Sequence, residues 1–446
     1  MDKKAMEFEE LFKLKKHATI KKELADLHPA DIAAIIDHVH HDFVLPLFLQ
    51  LNTEQAANVI VELTETTQRR ILSSISKERI GTIVKELESD DAADLVMSLP
   101  EKLMGKVLEK IPHKDSSDIK QLIKYPEDTA GGMMQVEAVT IQVNAVAAEA
   151  IEAIRAKSGD LTDLHHVWVV DKNNKVKGVL SLRRLLLARS GDKVSKIMHA
   201  EVISVVADMD RELVAENFRK YDLIAMPVVD KKNMLLGRIT VDDVMDAIEE
   251  ETTEDMYRLA GLGSDESVLD GPHRSIARRL PWLLVNLGTA ILAAIVVGLF
   301  EATIAQFVFL AVFMPIIAGM GGNAGTQTLT VVVRGMALGE LDYHRHRRVL
   351  IKEMVAALGN GAIVGLIMAI VAYFWKGIPL LGLIIFLAMV FNMVIAATVG
   401  TVIPITLKRL KIDPALASGI LVTTFTDTMG FFVFLGLATV LFRIWL

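Results

Sequence analysis

The chain has 446 residues, 52% of them apolar, with a formal net charge of −7 and no cysteine. That length allows roughly two to four domains, and the apolar fraction puts one of them in a membrane. Absence of cysteine excludes disulfides and thiolate metal sites, and the acidic balance excludes nucleic acid as the main partner, because neutralising phosphates needs a basic surface.

Residues 1–280 carry most of the charges, whereas 281–446 are built from Ala, Val, Ile, Leu, Phe, Met and Gly, so two solvents shaped the sequence. The opening MDKKAMEFEELFKLKK is charged and amphipathic and lacks the apolar core of a secretory signal, so the polar half is expected to stay cytosolic. From Leu27 an aliphatic residue recurs every twelve positions, at Leu27, Val39, Leu51, Leu63, Ile75, Leu87, Leu99, Ile111 and Ile123. Segments such as LHPADIAAIIDHV and LESDDAADLVMSL set a polar or proline turn before an acid and an aliphatic stripe, as short capped helices do. Such helices bury a core only by stacking on neighbours, which predicts an α-helical superhelix over 1–125 that serves as a docking surface.

The turn YPEDTAGGMM at 125–134 closes that domain. Beyond it, 165–188 aligns without gaps on 224–247, 59 residues further on, each copy reading strand, polar turn, glycine, strand and helix. With Val169-Val170-Asp171, Gly178 and Ser181, and again Val228-Val229-Asp230, Gly237 and Thr240, the repeat resembles a tandem pair of CBS domains, assigned to 126–197 and 198–250. The resemblance implies an α/β regulatory pair in which a Ser/Thr-x-x-Asp element holds an adenosine ribose. Thr240 to Asp243 keeps that element while Arg184 replaces the acid of the first copy, so at most one ordinary nucleotide site is implied, with ATP as ligand and Asp243 on the ribose.

Eight acids follow, Asp242, Asp243, Asp246, Glu249, Glu250, Glu251, Glu254 and Asp255, with no Lys or Arg before Arg258. Like charges at these spacings repel along a helix, and a solvated acidic face is the plain alternative. Against it, the run joins a regulatory module to a membrane domain, and more acids stand at Glu88, Asp90, Asp91 and Asp94 and at Asp210, Glu212 and Asp222. Hard divalent cations take carboxylate and water ligands, so these acids read as a cation-dependent glue. Gly261, Gly263 and Gly271 with Pro272 end the connecting helix, assigned to 251–273.

Residues 274–446 hold five apolar runs, at about 281–300, 305–333, 352–374, 381–407 and 414–442, each near the ~20 residues that span a bilayer. Arg and Lys gather before the first run, between the second and third, and between the fourth and fifth, which puts the N-terminus in the cytoplasm and the C-terminus outside. The second run sets Pro315, Asn323 and Gln327 among Gly319, Gly321, Gly322 and Gly325, and these small residues suit either tight helix packing or a locally unwound backbone that is buried in protein or faces water. In the stretch Ala417–Ala438 the fifth run carries Asp427, read as the one acid interior to any run, about 20 Å along the helix from Pro414. A mid-membrane carboxylate costs about 2.5–3.5 kcal/mol on insertion scales and marks an ion path.

Through YPEDTAGGMM, GGNAGTQT in the second run and TDTMGFFVFLGLA in the fifth, nearly the whole chain resembles the MgtE family of magnesium channels. The resemblance implies a multi-pass homodimer of the plasma (inner) membrane whose helices line a central pore, with the aspartate matched by Asp427 on the hydrated ion. It also implies acidic cytosolic surfaces that bind Mg2+ and close the pore through the connecting helix. The matching positions are Asp90, Asp94, Asp210, Glu212, Asp222, Asp243, Asp246, Glu251, Glu254, Asp255 and Asp413, with Glu88 and Asp91 beside them, while Arg219 and Tyr221 stand where some relatives carry acids. Gly322, Asn323, Gly325 and Thr423 are the pore-lining candidates. Mg2+ sheds water reluctantly, so one carboxylate per chain favours passage of the hydrated ion. Two other readings stand: a proton-coupled divalent cation transporter in which Asp427 titrates, and a membrane-anchored adenine-nucleotide sensor whose spans only anchor. No nucleophile and base pair or phosphate loop supports an enzyme, and His344 and His346 read as surface residues of a basic loop.

Overall fold

The computed structural model describes residues 2–157, 164–263, 266, 268, 271–341, 345–416 and 418–445; His344, Ala417 and positions 264, 265, 267, 269 and 270 of the connecting segment lie outside the described residues. The chain divides into two compact units, Met1–Ala247 and Ile248–Leu446.

The first unit opens with ten helices: α1 (Asp2–Lys13), α2 (His17–Ala25), α3 (Pro29–His38), α4 (His41–Phe48), α5 (Thr53–Val61), α6 (Glu65–Ser74), α7 (Lys77–Glu86), α8 (Ser89–Met97), α9 (Glu101–Leu108) and α10 (His113–Leu122). From α2 onward each helix starts twelve residues after the one before it. The recurring aliphatic residue sits two positions ahead of the next helix: Val39, Leu51, Leu63, Leu99 and Ile111 are buried, and Leu27, Ile75, Leu87 and Ile123 pack on the same core. Side-chain caps stop the helices from merging, as Asn52 accepts from the Gln55 amide at 2.8 Å and Ser76 from the Arg79 amide at 3.2 Å. Alternate helices touch in series, α1, α3, α5, α7 and α9 in one row and α4 with α6 and α8 with α10 in the other, which makes a two-row superhelix.

Two three-stranded sheets follow. β1 (Thr140–Gln142), α11 (Ala147–Lys157), β2 (His166–Val170), β3 (Val176–Ser181), α12 (Leu182–Leu187) and α13 (Val194–Ile197) form the first copy. β4 (Val205–Val206), α14 (Arg211–Tyr221), β5 (Ala225–Val229), β6 (Leu235–Thr240) and the start of α15 (Val241–Leu259) form the second. In each sheet the first strand pairs parallel with the second and the second antiparallel with the third. The 59-residue offset is kept down to a bulge at Val169/Val170 and Val228/Val229 and a left-handed residue at Asn174 (φ 57°) and Asn233 (φ 64°). Asn174 Nδ2 donates to Leu235 O and Asn233 Nδ2 to Val176 O, both at 3.1 Å, so the two copies exchange equivalent bonds.

Each sheet also borrows a segment from ahead of the other copy. Val179 pairs with His199, and its counterpart Arg238 pairs with Gln135, part of the stretch that follows YPEDTAGGMM. The neighbouring glycines explain themselves: a side chain on Gly178 would lie 2.9 Å from His199 O, and one on Gly237 would overlap Gln135 O. Gln135 and Arg238 exchange both backbone bonds at 2.8 Å, and Arg238 Nε donates to Gln135 Oε1 at 3.2 Å in a buried setting.

α15 ends in a Schellman turn. Gly261 takes φ +75°, its amide bonds Arg258 O at 3.0 Å, and the Leu262 amide bonds Tyr257 O at 2.8 Å.

The second unit contains α16 (Pro272–Gly298), α17 (Glu301–Gln306), α18 (Leu310–Ala337), α19 (His346–Lys376), α20 (Pro379–Arg409) and α21 (Ser418–Trp445). By length and composition four of these, α16, α19, α20 and α21, can cross a membrane. α18 is just as long, but Asn323, Gln327 and its glycines lower its apolarity, so five spans are not established by this measure. Nor is α18 unwound, because its helix runs unbroken through Pro315 and the glycines. Those glycines admit neighbours instead: a side chain on Gly321 would overlap Asn392 of α20, and one on Gly325 would lie 2.5 Å from Val422 of α21. α20 is the hub, touching α18, α19 and α21; its most apolar stretch is 56% buried against 6% for α16, which leaves the apolar surface of α16 exposed.

Gly237→Ala should lower the thermal midpoint of the protein by several degrees, as expected for about 1–3 kcal/mol of forced backbone shift. Gly105→Ala should raise stability by about 0.5–1 kcal/mol. It sits inside α9 with nothing near its Cβ position. Thermal unfolding of the purified protein reads both.

Candidate functional site

Carboxylates from two distant stretches meet at the N-terminal ends of α8 and α15. Asp90 and Asp91 lie in the first turn of α8 and Asp242 and Asp243 in the first turn of α15, where the helix dipole favours negative charge. Asp90 is buried, and burial, then Asp243, Asp91 and Glu88, pushes its carboxyl well above the usual range. Burial and the neighbouring acids Asp243, Asp94, Glu88 and Asp242 raise Asp91 to about 7. Burial, with Asp242 and Glu88, raises Asp243 to about 7 even though it accepts from Thr240 Oγ1 at 2.8 Å. One oxygen of Asp90 has no hydrogen-bond partner among the described residues. Glu88, Asp90, Asp91, Asp94, Asp242 and Asp243 together form a set of carboxylate oxygens that suits a hard divalent ion.

Of the other predicted acids of this unit, Asp210, Glu212 and Asp222 stand on α14, and Asp246 follows Asp242 and Asp243 by one turn of α15. Asp210 caps α14 by accepting from the Glu212 amide at 2.8 Å, and Asp222 ends the same helix in the left-handed region, about 18 Å away. Asp246 is exposed.

Asp222 instead helps line a cavity of about 180 Å3 between the two CBS-like copies, together with His166, Trp168, Glu201, Ala225 and Pro227. His166 stacks on Trp168 with centroids 6.0 Å apart. His166 Nδ1 and Trp168 Nε1 are buried with no partner among the described residues, and burial lowers the His166 pKa. Asp243 is not among the residues lining this cavity. In the first copy Arg184, which stands in place of the acid, donates to Ile197 O at 3.1 Å.

In the second unit Arg258 of α15 bonds both Glu254 and Asp413, the latter from the turn between α20 and α21. Burial, then Asp413 and Glu251, raises Asp255 to about 6, with Arg334 opposing them. Glu251, Glu254, Asp255 and Asp413 are therefore brought together, with Arg258 and Arg334 facing them.

Asp427 is half-buried, about a third of the way along α21, and shares a face with Thr423 one turn before it. Thr426 and Gly430 are buried beside it. On α18, Asn323 is exposed and Gly322 has open space at its Cβ position, whereas Gly325 is buried against Val422.

Sequence reasoning missed two polar groups here. Glu353 is buried on α19, 2.6 Å from Lys352 Nζ and 3.5 Å from Thr328 Oγ1. The apolar run at about 352–374 begins one residue before Glu353, whereas α19 starts at His346 and puts Glu353 about two turns inside the helix. Asn392 is 1% exposed in the middle of α20.

A family profile described as the MgtE intracellular N domain matches residues 27–128, the CBS domain profile matches 130–191 and 194–250, and a profile described as a divalent cation transporter matches 314–437. The chain is 33% identical over 414 residues to the magnesium transporter MgtE of Bacillus subtilis, covering 93% of this chain and 92% of that one. It is 34% identical over 330 residues to MgtE of Thermus thermophilus, covering 73% and 72%. Among solved structures, the cytosolic domain of the Mg2+ channel MgtE in complex with ATP aligns with a TM-score of 0.52 at 29% identity, over 55% of this chain and 99% of that one. The soluble part of a magnesium transporter aligns at 0.51 and 26% identity, over 56% and 99%.

Asp91 and Asp243 are raised from 3.8 to about 7, so their contribution to stability is complete below pH 3.8 and is lost as pH rises through about 7. In chelator, the thermal midpoint should fall between pH 5 and 8, and Asp91→Asn should flatten that fall. Millimolar Mg2+ at pH 8 should restore the midpoint of the unsubstituted protein.

Proposed function

Because the chain belongs to the MgtE family, we propose that it is a Mg2+-selective channel, gated by Mg2+ itself, that admits the ion down its electrochemical gradient. The observation that carries the reading is Asp427, a carboxylate placed mid-helix in an apolar span on a face that its own helix bundle leaves half open. A lone carboxylate there is costly unless a cation or water path meets it. Two copies across a dimer axis would hold the water shell of one Mg2+, with Asn323, Gly322 and Thr423 on the adjoining open faces. All five long helices cross the membrane in this reading, α18 sheltered by α20 and α21, with the N-terminus inside the plasma membrane and the C-terminus outside.

A second copy has a surface to meet. Leu186 of α12 and Met245 of α15, equivalent positions of the repeat, are 81% and 65% exposed, with Leu187 beside them. Paired apolar patches of this kind suit a symmetric dimer.

Mg2+ between Asp90, Asp91, Asp243 and their neighbours would relieve the repulsion that raises their pKa values. Ions that bind the compact arrangement better than the open one shift the population toward it, which closes the pore. Asp210, Glu212, Asp222, Asp246, Glu251, Glu254, Asp255 and Asp413 complete the proposed sensor. The cavity at Trp168 is the proposed ATP site, with the stacked His166 and Trp168 rings as the nucleobase platform and their unmet nitrogens as its polar contacts.

Asp427→Ala should abolish Mg2+ flux into liposomes at every cytosolic Mg2+ level, and undiminished flux would remove Asp427 from the mechanism. An imposed pH gradient at fixed Mg2+ should leave the wild-type rate unchanged; acceleration would favour proton coupling. The triple variant Asp243→Asn, Asp246→Asn, Glu251→Gln should conduct at millimolar cytosolic Mg2+, where the parent is shut. Trp168→Ala should weaken ATP binding by about tenfold or more, the loss of one stacking contact.

A further inference from the structure

Within the channel reading, whose failure is tested separately below, the geometry points to Asn392 as the positioning residue that sets the spacing of α18 and α21 beside Asp427, and thereby discriminates among hydrated divalent cations. Asn392 is 1% exposed in the middle of α20, in a stretch otherwise built from Ile, Leu, Ala, Met, Phe and Val. An apolar side chain of the same size would fill that place without the cost of a buried amide.

The amide is held at one end. Its Nδ2 donates to Ile317 O of α18 at 2.8 Å. Its Oδ1 is buried with no hydrogen-bond partner among the described residues and lies against α21, where a side chain on Gly430 would come within 2.9 Å of it. A side chain on Gly321 of α18 would overlap Nδ2. The planar amide is thus a spacer between two glycines on two different helices, bonded to one of those helices.

Both glycines sit next to the proposed path. Gly430 is three residues after Asp427, so its contact with Asn392 fixes the rotation of α21 within one turn of the carboxylate. Gly321 precedes Gly322 and Asn323, which occupy the more open face of α18. One turn further along, Gly325 meets Val422 and Thr426, a second contact between α18 and α21 that the amide keeps in register.

Spacing matters for selection because the ion is held through its water shell. Mg2+ keeps a rigid octahedron of waters, whereas Ca2+ takes six to eight ligands flexibly. A fixed spacing rewards the rigid shell; a loosened one admits both.

The test uses the full-length protein in liposomes, with Mg2+ and Ca2+ uptake measured on the same preparation. Asn392→Leu should narrow the Mg2+ to Ca2+ ratio by about three- to thirtyfold, the scale on which sub-ångström misplacement acts. Closure by cytosolic Mg2+ should keep its midpoint, which a general loss of folding would not do. Gly430→Ala should alter the ratio too, and Asn392→Ala in the Gly430→Ala background should return it toward the parent value, because the space removed by the methyl is given back. A ratio unchanged in all three variants that still conduct would overturn the proposal. If no variant conducts, spin labels on Thr326→Cys and Phe425→Cys of this cysteine-free chain, diluted with unlabelled protein, read the α18 to α21 distance directly. The same distance with and without Asn392→Leu would overturn it, and a shifted or broadened one supports it. Absence of divalent flux through the unsubstituted protein would instead sink the channel reading and leave the measured distances to stand alone.

Discussion

Repulsion among buried carboxylates is the constraint on which the first unit depends. Asp90, Asp91 and Asp243 are each held above their ordinary titration range by burial and by one another. Nothing in their own helices requires them to meet, since α8 and α15 are far apart in sequence. They meet because the stretch between them is clamped. The Ser89 hydroxyl, next to Asp90, donates to Glu137 at 2.6 Å and accepts from the Val136 amide at 2.9 Å, and Gln135 is bonded on both sides to Arg238. The clamp runs from the start of α8 to the strand that feeds α15. A fold that spends packing and hydrogen bonds to hold like charges together has a standing free-energy difference for a cation to remove.

The membrane-type unit solves a different problem with small residues. Without water to drive helices together, contact depends on shape, and α19 and α20 approach through Gly361 and Gly365, where a side chain would lie 2.9 Å from Val390 Cα and 3.0 Å from Phe386 O. The contacts of α18 with α20 and α21 follow the same logic at Gly321, Gly325 and Gly400. Among the described residues of its long helices the buried polar groups are few: Thr328, Glu353, Asn392, Thr401, Ser418 and Thr426. Such groups specify orientation at a cost in stability, which suits a bundle that must aim one side chain.

What was legible in the sequence was local or repeated. The twelve-residue period appears because each repeat makes its own cap and stripe, and the 59-residue offset appears because strand, turn, glycine and strand recur in one order. Pairings across the chain left no such trace. The swap that puts Gln135 on the second sheet and His199 on the first is visible only as the two glycines that make room for it. The CBS resemblance assigns Asp243 to a ribose; in the structure the same residue accepts from the Thr240 amide at the start of α15 and has the acids of α8 around it. The glycines of α18 looked like a break in the helix; packing against two neighbours compensates for their weak propensity and keeps the helix whole. Asn392 passed unnoticed because one amide barely alters the mean hydropathy of an apolar run.

The two proposed roles for carboxylates also demand opposite environments, and the chain meets both demands. A sensor must change its energy when an ion arrives, so its acids are crowded, as on α8 and α15, where six share one neighbourhood and burial raises Asp90, Asp91 and Asp243. A selecting site must release what it binds, so a single half-buried carboxylate per chain, flanked by hydroxyls, holds an ion through water without trapping it. Were Asp427 embedded in a cluster like that of Asp90, Mg2+ would bind the pore as tightly as the sensor, and occupancy would report concentration at the expense of flow. In the proposed reading, a lone carboxylate at Asp427 would separate the ion that is counted from the ion that passes.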